Sequence, residues 1–238
     1  MVGSHLEVSA GGVRLWRIAI DGPVGAGKTV VGRELARRLG FKYLDTGVMY
    51  RAITWLALHR AVPVENTAAL GDLAARTQIQ VLGPDSDRVL VGEHEVEPEL
   101  RAPEVESQVS LVARVPEVRR ALVRQQRALA EKGKIVMVGR DIGTVVLPDA
   151  DLKVFMLASA QERARRRWLE LRAQSLDVDF PQVLRETQAR DDLDSRRADS
   201  PLIPAKDAFL LDTEGLTVPQ VVDRILQRVH HLGAGAKP

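Results

Sequence analysis

The chain of 238 residues contains no cysteine. That excludes disulfides, zinc–thiolate sites and thiol nucleophiles, and it fits a reducing cytoplasm. No uninterrupted apolar run reaches about 18 residues, so no membrane span is expected. No signal peptide is visible. There is no basic tail, and 34 Lys and Arg against 32 Asp and Glu leave a formal charge of only +2. Charge therefore does not suggest a nucleic-acid partner. No internal repeat is present, and the only low-complexity tract is the Gly/Ala tail. A guanine-reading N-K-x-D motif is also missing.

What is present is ample apolar material. Hydrophobic residues make up 45% of the chain, enough for one sizeable α/β domain with a small inserted unit. Met1-Val2-Gly3-Ser4-His5 reads as a cloning remnant, and residues 1–15 are expected to be a disordered N-terminus.

The strongest signal lies near the start. An apolar run, Ile18-Ala19-Ile20, leads into Gly22-Pro23-Val24-Gly25-Ala26-Gly27-Lys28-Thr29. This octet fits G-x-x-x-x-G-K-[ST] at every fixed position. Val30, Val31, Leu35, Ala36 and Leu39 then recur at helical spacing. A polyphosphate is a dense anion. Glycines let successive backbone N–H groups curl toward it, and the following helix adds its positive end. Lys28 is placed to reach the β- and γ-phosphates, and Thr29 offers a hydroxyl to Mg²⁺. The motif predicts binding of a nucleoside triphosphate.

Further along, Gly40 is expected to cap the first helix, Phe41 to Leu44 to form a strand, and Asp45-Thr46-Gly47 to open a second helix. Two successive strand–loop–helix units predict a parallel sheet with ligands at the carboxyl ends of its strands. Residues 61–103 change character. Leu70 and Leu73 suggest a short helix. Gln78 to Leu82 and Val89 to Val91 suggest strands, joined by a turn at Gly83-Pro84-Asp85-Ser86-Asp87 and followed by another at Gly92-Glu93-His94-Glu95. His94 reads as solvated.

Pro103 to Glu131 reads as one or two helices, with Pro116 starting the second. Lys134 to Val138 reads as a buried strand ending in Gly139-Arg140-Asp141-Ile142-Gly143-Thr144. An Arg-Asp pair at a strand end is suited to chemistry, with a structural salt bridge as the alternative. Leu152 to Leu157 is the next strand. Ser159 and Glu162 then cap a helix carrying Arg163, Arg165, Arg166 and Arg167. Another helix starts near Pro181 and runs through Arg190-Asp191-Asp192-Leu193-Asp194-Ser195-Arg196-Arg197, either a solvated face with internal ion pairs or a lid. Phe209 to Thr213 and Leu216 to His231 close the chain as strand and amphipathic helix.

Taken together, the motifs resemble the bacterial cytidylate kinases of the nucleoside monophosphate kinase superfamily. The resemblance is carried by Ile20 to Thr29, by Leu44-Asp45-Thr46-Gly47-Val48-Met49-Tyr50-Arg51 and by Gly139 to Ala150. Arg190 to Arg197 and Pro201-Leu202-Ile203-Pro204-Ala205 complete it, in the family's order, over roughly Trp16 to Val229. It implies a P-loop three-layer α/β/α fold with a parallel central sheet, a small antiparallel β insertion for the monophosphate and a helical lid. The corresponding division is a core of residues 16–60 and 104–230, an insertion of 61–103 and a lid at about 169–190.

The resemblance further implies transfer of the γ-phosphoryl of ATP, with Mg²⁺, to CMP or dCMP. The enzyme is expected to be a cytoplasmic monomer. Gly22 to Thr29 would hold the ATP phosphates. Thr46, Tyr50, Arg51, Arg140 and Arg197 match the positions that hold the acceptor phosphate, and Arg190 and Asp194 match positions near the ribose. Ser110, Arg119 and Asp141 match those that read cytosine. Lys28, Arg140, Arg190 and Arg197 would be catalytic, with Thr29 on the metal. Arg166 and Arg167 are lid-side candidates. One departure stands out. The residue before Gly139 is usually acidic in this family and here is Val138, with Asp21 or Asp45 as candidate substitutes. Two other readings remain: a kinase for another small acceptor such as shikimate, and a nucleotide-dependent switch.

Overall fold

The computed structural model describes residues 16–83, 88–96, 98–197 and 199–234. The expected N-terminal remnant, residues 84–87 of the expected Gly83–Asp87 turn and the last residues of the tail lie outside these.

Five strands form a wholly parallel sheet: β1 (Arg17–Asp21), β2 (Lys42–Asp45), β6 (Ile135–Val138), β7 (Leu152–Leu157) and β8 (Phe209–Asp212), in the order β2-β6-β1-β7-β8. Both faces are covered, which explains the near-continuous apolar strands. Alternation along each strand sorts the side chains. Ala19, Leu44, Ile135 and Met137 enter one core with helices α2 (Thr46–His59), α3 (Thr67–Arg76) and α5 (Pro116–Ala130). Ile18, Ile20, Tyr43, Val136 and Val138 enter the other, with α1 (Lys28–Leu39) and α8 (Val218–Ala234).

A second sheet is antiparallel, with β3 (Ile79–Leu82), β4 (Arg88–Val91) and β5 (His94–Glu95) in sequence order. Ile79, Val89, Val91 and Val96 join the core beneath α2. The expected turn over Gly92 to Glu95 is only half a turn: His94 and Glu95 pair with Val91 and Leu90 as a third strand. A two-residue strand is too short to show a period of two. His94 is exposed, as expected.

The remaining helices are α4 (Pro103–Val112), α6 (Ala160–Ala173) and α7 (Phe180–Ser195). Ser159 caps α6 by accepting the Glu162 N–H at 3.2 Å. The α6–α7 connection is held where Trp168 Nε1 donates to the Val178 carbonyl at 3.0 Å and its ring meets Phe180 edge-on. Residues 169–190 span the end of α6, this connection and most of α7. A further element was not anticipated. Ile142–Val146 forms a single π turn after β6, where the sequence Gly-Thr-Val-Val has no helical signal.

Candidate functional site

The strand order fixes what lies side by side. β1 is central, so the phosphate loop at its carboxyl end is flanked by the segment after β6, and next by the start of α2 after β2. These ends surround one cleft of about 710 Å³, which α4, α5, α6 and α7 also line.

Gly22 opens the loop at φ 148°, and a Cβ there would come within 2.4 Å of the Met156 carbonyl oxygen. At Gly25, with φ 75°, a Cβ would stand 3.0 Å from that of Arg163. No other residue fits either position without displacing backbone. Lys28 is buried and donates to the Pro23 carbonyl at 2.7 Å across the loop. Burial first, and Arg140 second, pull its ammonium pKa well down, while Asp45 and Asp21 oppose the shift. Pro23, Val24 and Ala26 complete the loop's backbone.

Thr29 Oγ1 donates to Asp45 Oδ2 at 3.1 Å, and Asp45 Oδ1 accepts the Gly47 N–H at 2.9 Å as the cap of α2. The register sets Val138 between Asp45 and Ile20. Val138 is buried against α1, close enough that a Cβ on Gly32 would meet its Cγ1 at 2.5 Å. Asp21, one of the two suggested substitutes for an acid at 138, is committed elsewhere. Its Oδ1 and Oδ2 accept the N–H groups of Ile142 and Gly143, each at 2.7 Å, and so fix the π turn. Burial pushes its pKa up to about 6, against the pull of those two bonds.

The acceptor-side candidates come from five elements. Thr46 Oγ1 donates to the Val138 carbonyl at 2.9 Å. Tyr50 is buried behind it, and burial raises its pKa to about 12. Arg51 Nε donates to Glu106 Oε1 at 2.7 Å, and Arg190 reaches the other Glu106 oxygen at 3.7 Å. Asp194 is buried beneath two arginines, accepting from Arg140 Nε at 2.7 Å and from Arg197. Burial opposes its ionisation, yet Arg140 and Arg197 hold the carboxyl below its ordinary range. Burial pulls Arg190 and Arg197 below the usual arginine value. Their Nε atoms are buried without a protein partner among the described residues. An unpaired buried donor costs about 1–3 kcal/mol, and both guanidinium groups line the cleft.

Arg119 and Asp141 form a buried ion pair. Arg119 also donates to the Ala113 carbonyl at 3.1 Å and lies 5.4 Å over the Tyr50 ring. Ser110, half-buried on α4, lines the same cleft. Of the lid-side candidates, Arg166 pairs with Glu162 at 2.9 Å and donates to the Thr213 carbonyl at 2.8 Å, beside Gly27. Arg167 makes an exposed pair with Glu170 at 3.4 Å.

All the acceptor-side candidates thus share one cavity with the residues from Val24 to Thr29. Cations outnumber acids there, which suits a pair of phosphorylated ligands. Glu106 and Arg163 were not singled out in advance. Glu106 stands four residues before Ser110 on α4, so their common helix face was a readable signal. Arg163 had none, because Val24 and Asp191, which it joins, lie 139 and 28 residues away in the chain.

A family model described as "Cytidylate kinase" matches residues 18–231. The chain is 50% identical over 210 residues to a cytidylate kinase of Desulfitobacterium hafniense, covering 88% of this chain and 90% of that protein. It is 50% identical over 212 residues to one from Exiguobacterium sibiricum, covering 89% and 95%. It is also 48% identical over 219 residues to a bifunctional pantoate ligase/cytidylate kinase of a Synechococcus species, covering 90% of this chain but 41% of that longer protein.

Proposed function

The chain belongs to the cytidylate kinase family, and from that premise we propose that it transfers the γ-phosphoryl of ATP to CMP or dCMP, giving ADP and CDP or dCDP. The observation that carries this is the buried Arg119–Asp141 pair opening on the same cleft as the phosphate loop. Cytosine presents an amino donor and two acceptors. Asp141 and Ser110 accept from the amino group, and Arg119 donates to the ring acceptors. Uracil would turn an oxygen toward Asp141, a mismatch costing about 1–3 kcal/mol.

The reaction needs position and charge more than covalent help. An ionised acceptor phosphate oxygen is already a nucleophile, so no protein nucleophile is required. Gly22 to Gly27 cradle the donor phosphates, and Lys28 exchanges the Pro23 carbonyl for a phosphate oxygen. Arg51, Arg140 and Arg197, with Thr46 and Tyr50, hold the acceptor phosphate. Arg190 and Asp194 face the ribose side. Arg140, Arg190, Arg197 and Lys28 converge where negative charge develops.

Among the described residues no group of three His, Cys, Asp or Glu side chains is arranged for a metal. Thr29 and Asp45 nonetheless offer adjacent hard oxygens. That fits Mg²⁺, which keeps its waters and arrives with substrate phosphates rather than in a protein cage. Bound there, it would neutralise charge on the β- and γ-phosphates. Within the same reading, residues 16–60 and 104–230 are the kinase core, 61–103 the monophosphate-binding insertion and 169–190 a lid that excludes water. No helix among the described residues is long and apolar enough to cross a membrane. On the family expectation the working form is a monomer in the cytoplasm, and light scattering on the purified chain checks the monomer.

The deciding experiment is ADP production from Mg-ATP with CMP, dCMP, UMP, AMP, GMP and shikimate, each against a blank without acceptor. Turnover is expected with CMP and dCMP, and UMP should be about 10-fold or more less efficient. Equal turnover of UMP would overturn the cytosine assignment. Slow hydrolysis indifferent to acceptor would favour a switch instead.

A further inference from the structure

One buried cation belongs to neither substrate's expected contacts. Arg163, on the first turn of α6, is 4% exposed. Its Nε donates to the Ala158 carbonyl at 3.0 Å, and Nη1 donates at 3.0 Å to the carbonyl of Val24, inside the phosphate loop. Nη1 and Nη2 together grip Asp191 on α7, at 3.0 and 2.5 Å. A bidentate fork has a fixed plane, so the three attachments are mutually oriented.

Asp191 adjoins Arg190, which reaches Glu106, and stands one helical turn before Asp194, which holds Arg140 and Arg197. A rigid path therefore runs from the Val24 carbonyl through Arg163 and Asp191 into α7, and along α7 to the acceptor-side arginines. A pair serving only to pack α6 on α7 would not need an N–H on the loop.

We propose that the Arg163–Asp191 pair is a positioning device that couples the two substrate sites: occupation of the phosphate loop sets the acceptor arginines through α7. The inference rests on the acceptor reading above. Neither residue is assigned contact with the acceptor. A shift of the loop around its phosphates moves Val24, and the fork transmits it to Asp191. Coupling of this kind typically changes affinity fivefold to about 150-fold, and it is reciprocal.

The test is calorimetric titration of CMP into the full chain, with and without a non-hydrolysable ATP analogue and Mg²⁺. For the unaltered chain the analogue is expected to tighten CMP at least about fivefold. Asp191→Asn and Arg163→Lys should reduce that ratio to below about twofold, leaving CMP affinity without analogue within about threefold. The double variant should lose no more than the larger single one, because the two act as a unit. Melting temperature and circular dichroism check folding. If Arg163→Lys does not fold, Asp191→Asn carries the test.

An undiminished ratio in folded variants would overturn the proposal, as would a missing ratio in the unaltered chain. A purely structural pair would weaken both ligands alike with the ratio intact, and that too would overturn it. Failure of the unaltered chain to turn over CMP would show up separately in the ADP assay. It would sink the acceptor assignment, and this inference with it.

Discussion

The phosphate loop and the proposed acceptor site share a cleft but are built in opposite ways. The loop is eight consecutive residues whose function lies in backbone shape, with Gly22 and Gly25 forced by close approach to Met156 and Arg163. The acceptor site is assembled from α2, α4, α5, the end of β6 and α7, and is held by side-chain ion pairs such as Arg140–Asp194 and Arg51–Glu106. A locally encoded site depends on a few irreplaceable residues. An assembled one spreads its energy over a network, so single losses are expected to be smaller and more pH-dependent.

The largest test of that contrast is Lys28→Met. It removes the loop cation proposed to meet the transferred phosphoryl, and kcat should fall about 10³-fold while CMP affinity changes little. Stopped ADP assays alongside CMP titration would check it. A loss of only about tenfold would mean that the arginines, not the loop, carry most of the charge neutralisation.

Next is Asp194→Asn. It leaves Arg140 and Arg197 without their shared buried carboxylate, which should cost about 3 kcal/mol in urea unfolding and raise the KM for CMP. The folded-state pKa of Asp194 is depressed. Its stabilisation is therefore present above the unfolded carboxylate value of about 4 and is lost as pH falls below it. The gap between the variant and the unaltered chain should narrow steadily as pH falls below about 4. A constant gap across pH would mean that shape rather than charge holds the network.

Asp21 sits at the seam between the two regions, and its sign is reversed. It ends β1 before the loop, yet its carboxylate fixes the turn that follows Arg140 and Asp141. Its folded pKa is raised to about 6. Its contribution is thus fully present below about pH 4 and lost as pH rises through 6, a swing of about 3 kcal/mol. Urea unfolding of the unaltered chain relative to Asp21→Asn should show that extra loss between pH 4 and 7. A carboxyl midpoint near 4 by carbon NMR would contradict it.

The same contrast explains what was legible in the sequence. β1, the loop and α1 were readable because spacing and glycines act locally. So were the Pro116 start of α5 and the Ser159 cap. Strand ends alone pointed to Arg140 and Asp141 and to the start of α2, but the roles of the acceptor residues came only through resemblance, since no spacing brings Arg51 to Glu106 or Arg140 to Asp194, which lie 55 and 54 residues apart. The π turn was invisible because its determinant, Asp21, lies 121 residues before Ile142. Arg163 read as one of several helix arginines, and only the fold sets it against Val24 and Asp191.

The smallest expected effect concerns Val138, where the assembled and local regions touch. Parallel pairing sets it beside Asp45, whose carboxylate already accepts from Thr29, but its methyls pack on α1 next to Gly32. A carboxylate at 138 would add a second hard oxygen near the Thr29 hydroxyl and raise local affinity for Mg²⁺. It would also bury charge near an apolar helix face, offset in part by Lys28. The gain should therefore be modest. The Mg²⁺ concentration for half-maximal ADP production should fall about threefold in Val138→Asp or Val138→Glu, roughly 0.6 kcal/mol, with some loss of melting temperature. If both variants fold and neither shifts the Mg²⁺ titration, then Thr29 and Asp45 with the substrate phosphates already complete the ion's surroundings. The loop side of the cleft would then need no acid from β6.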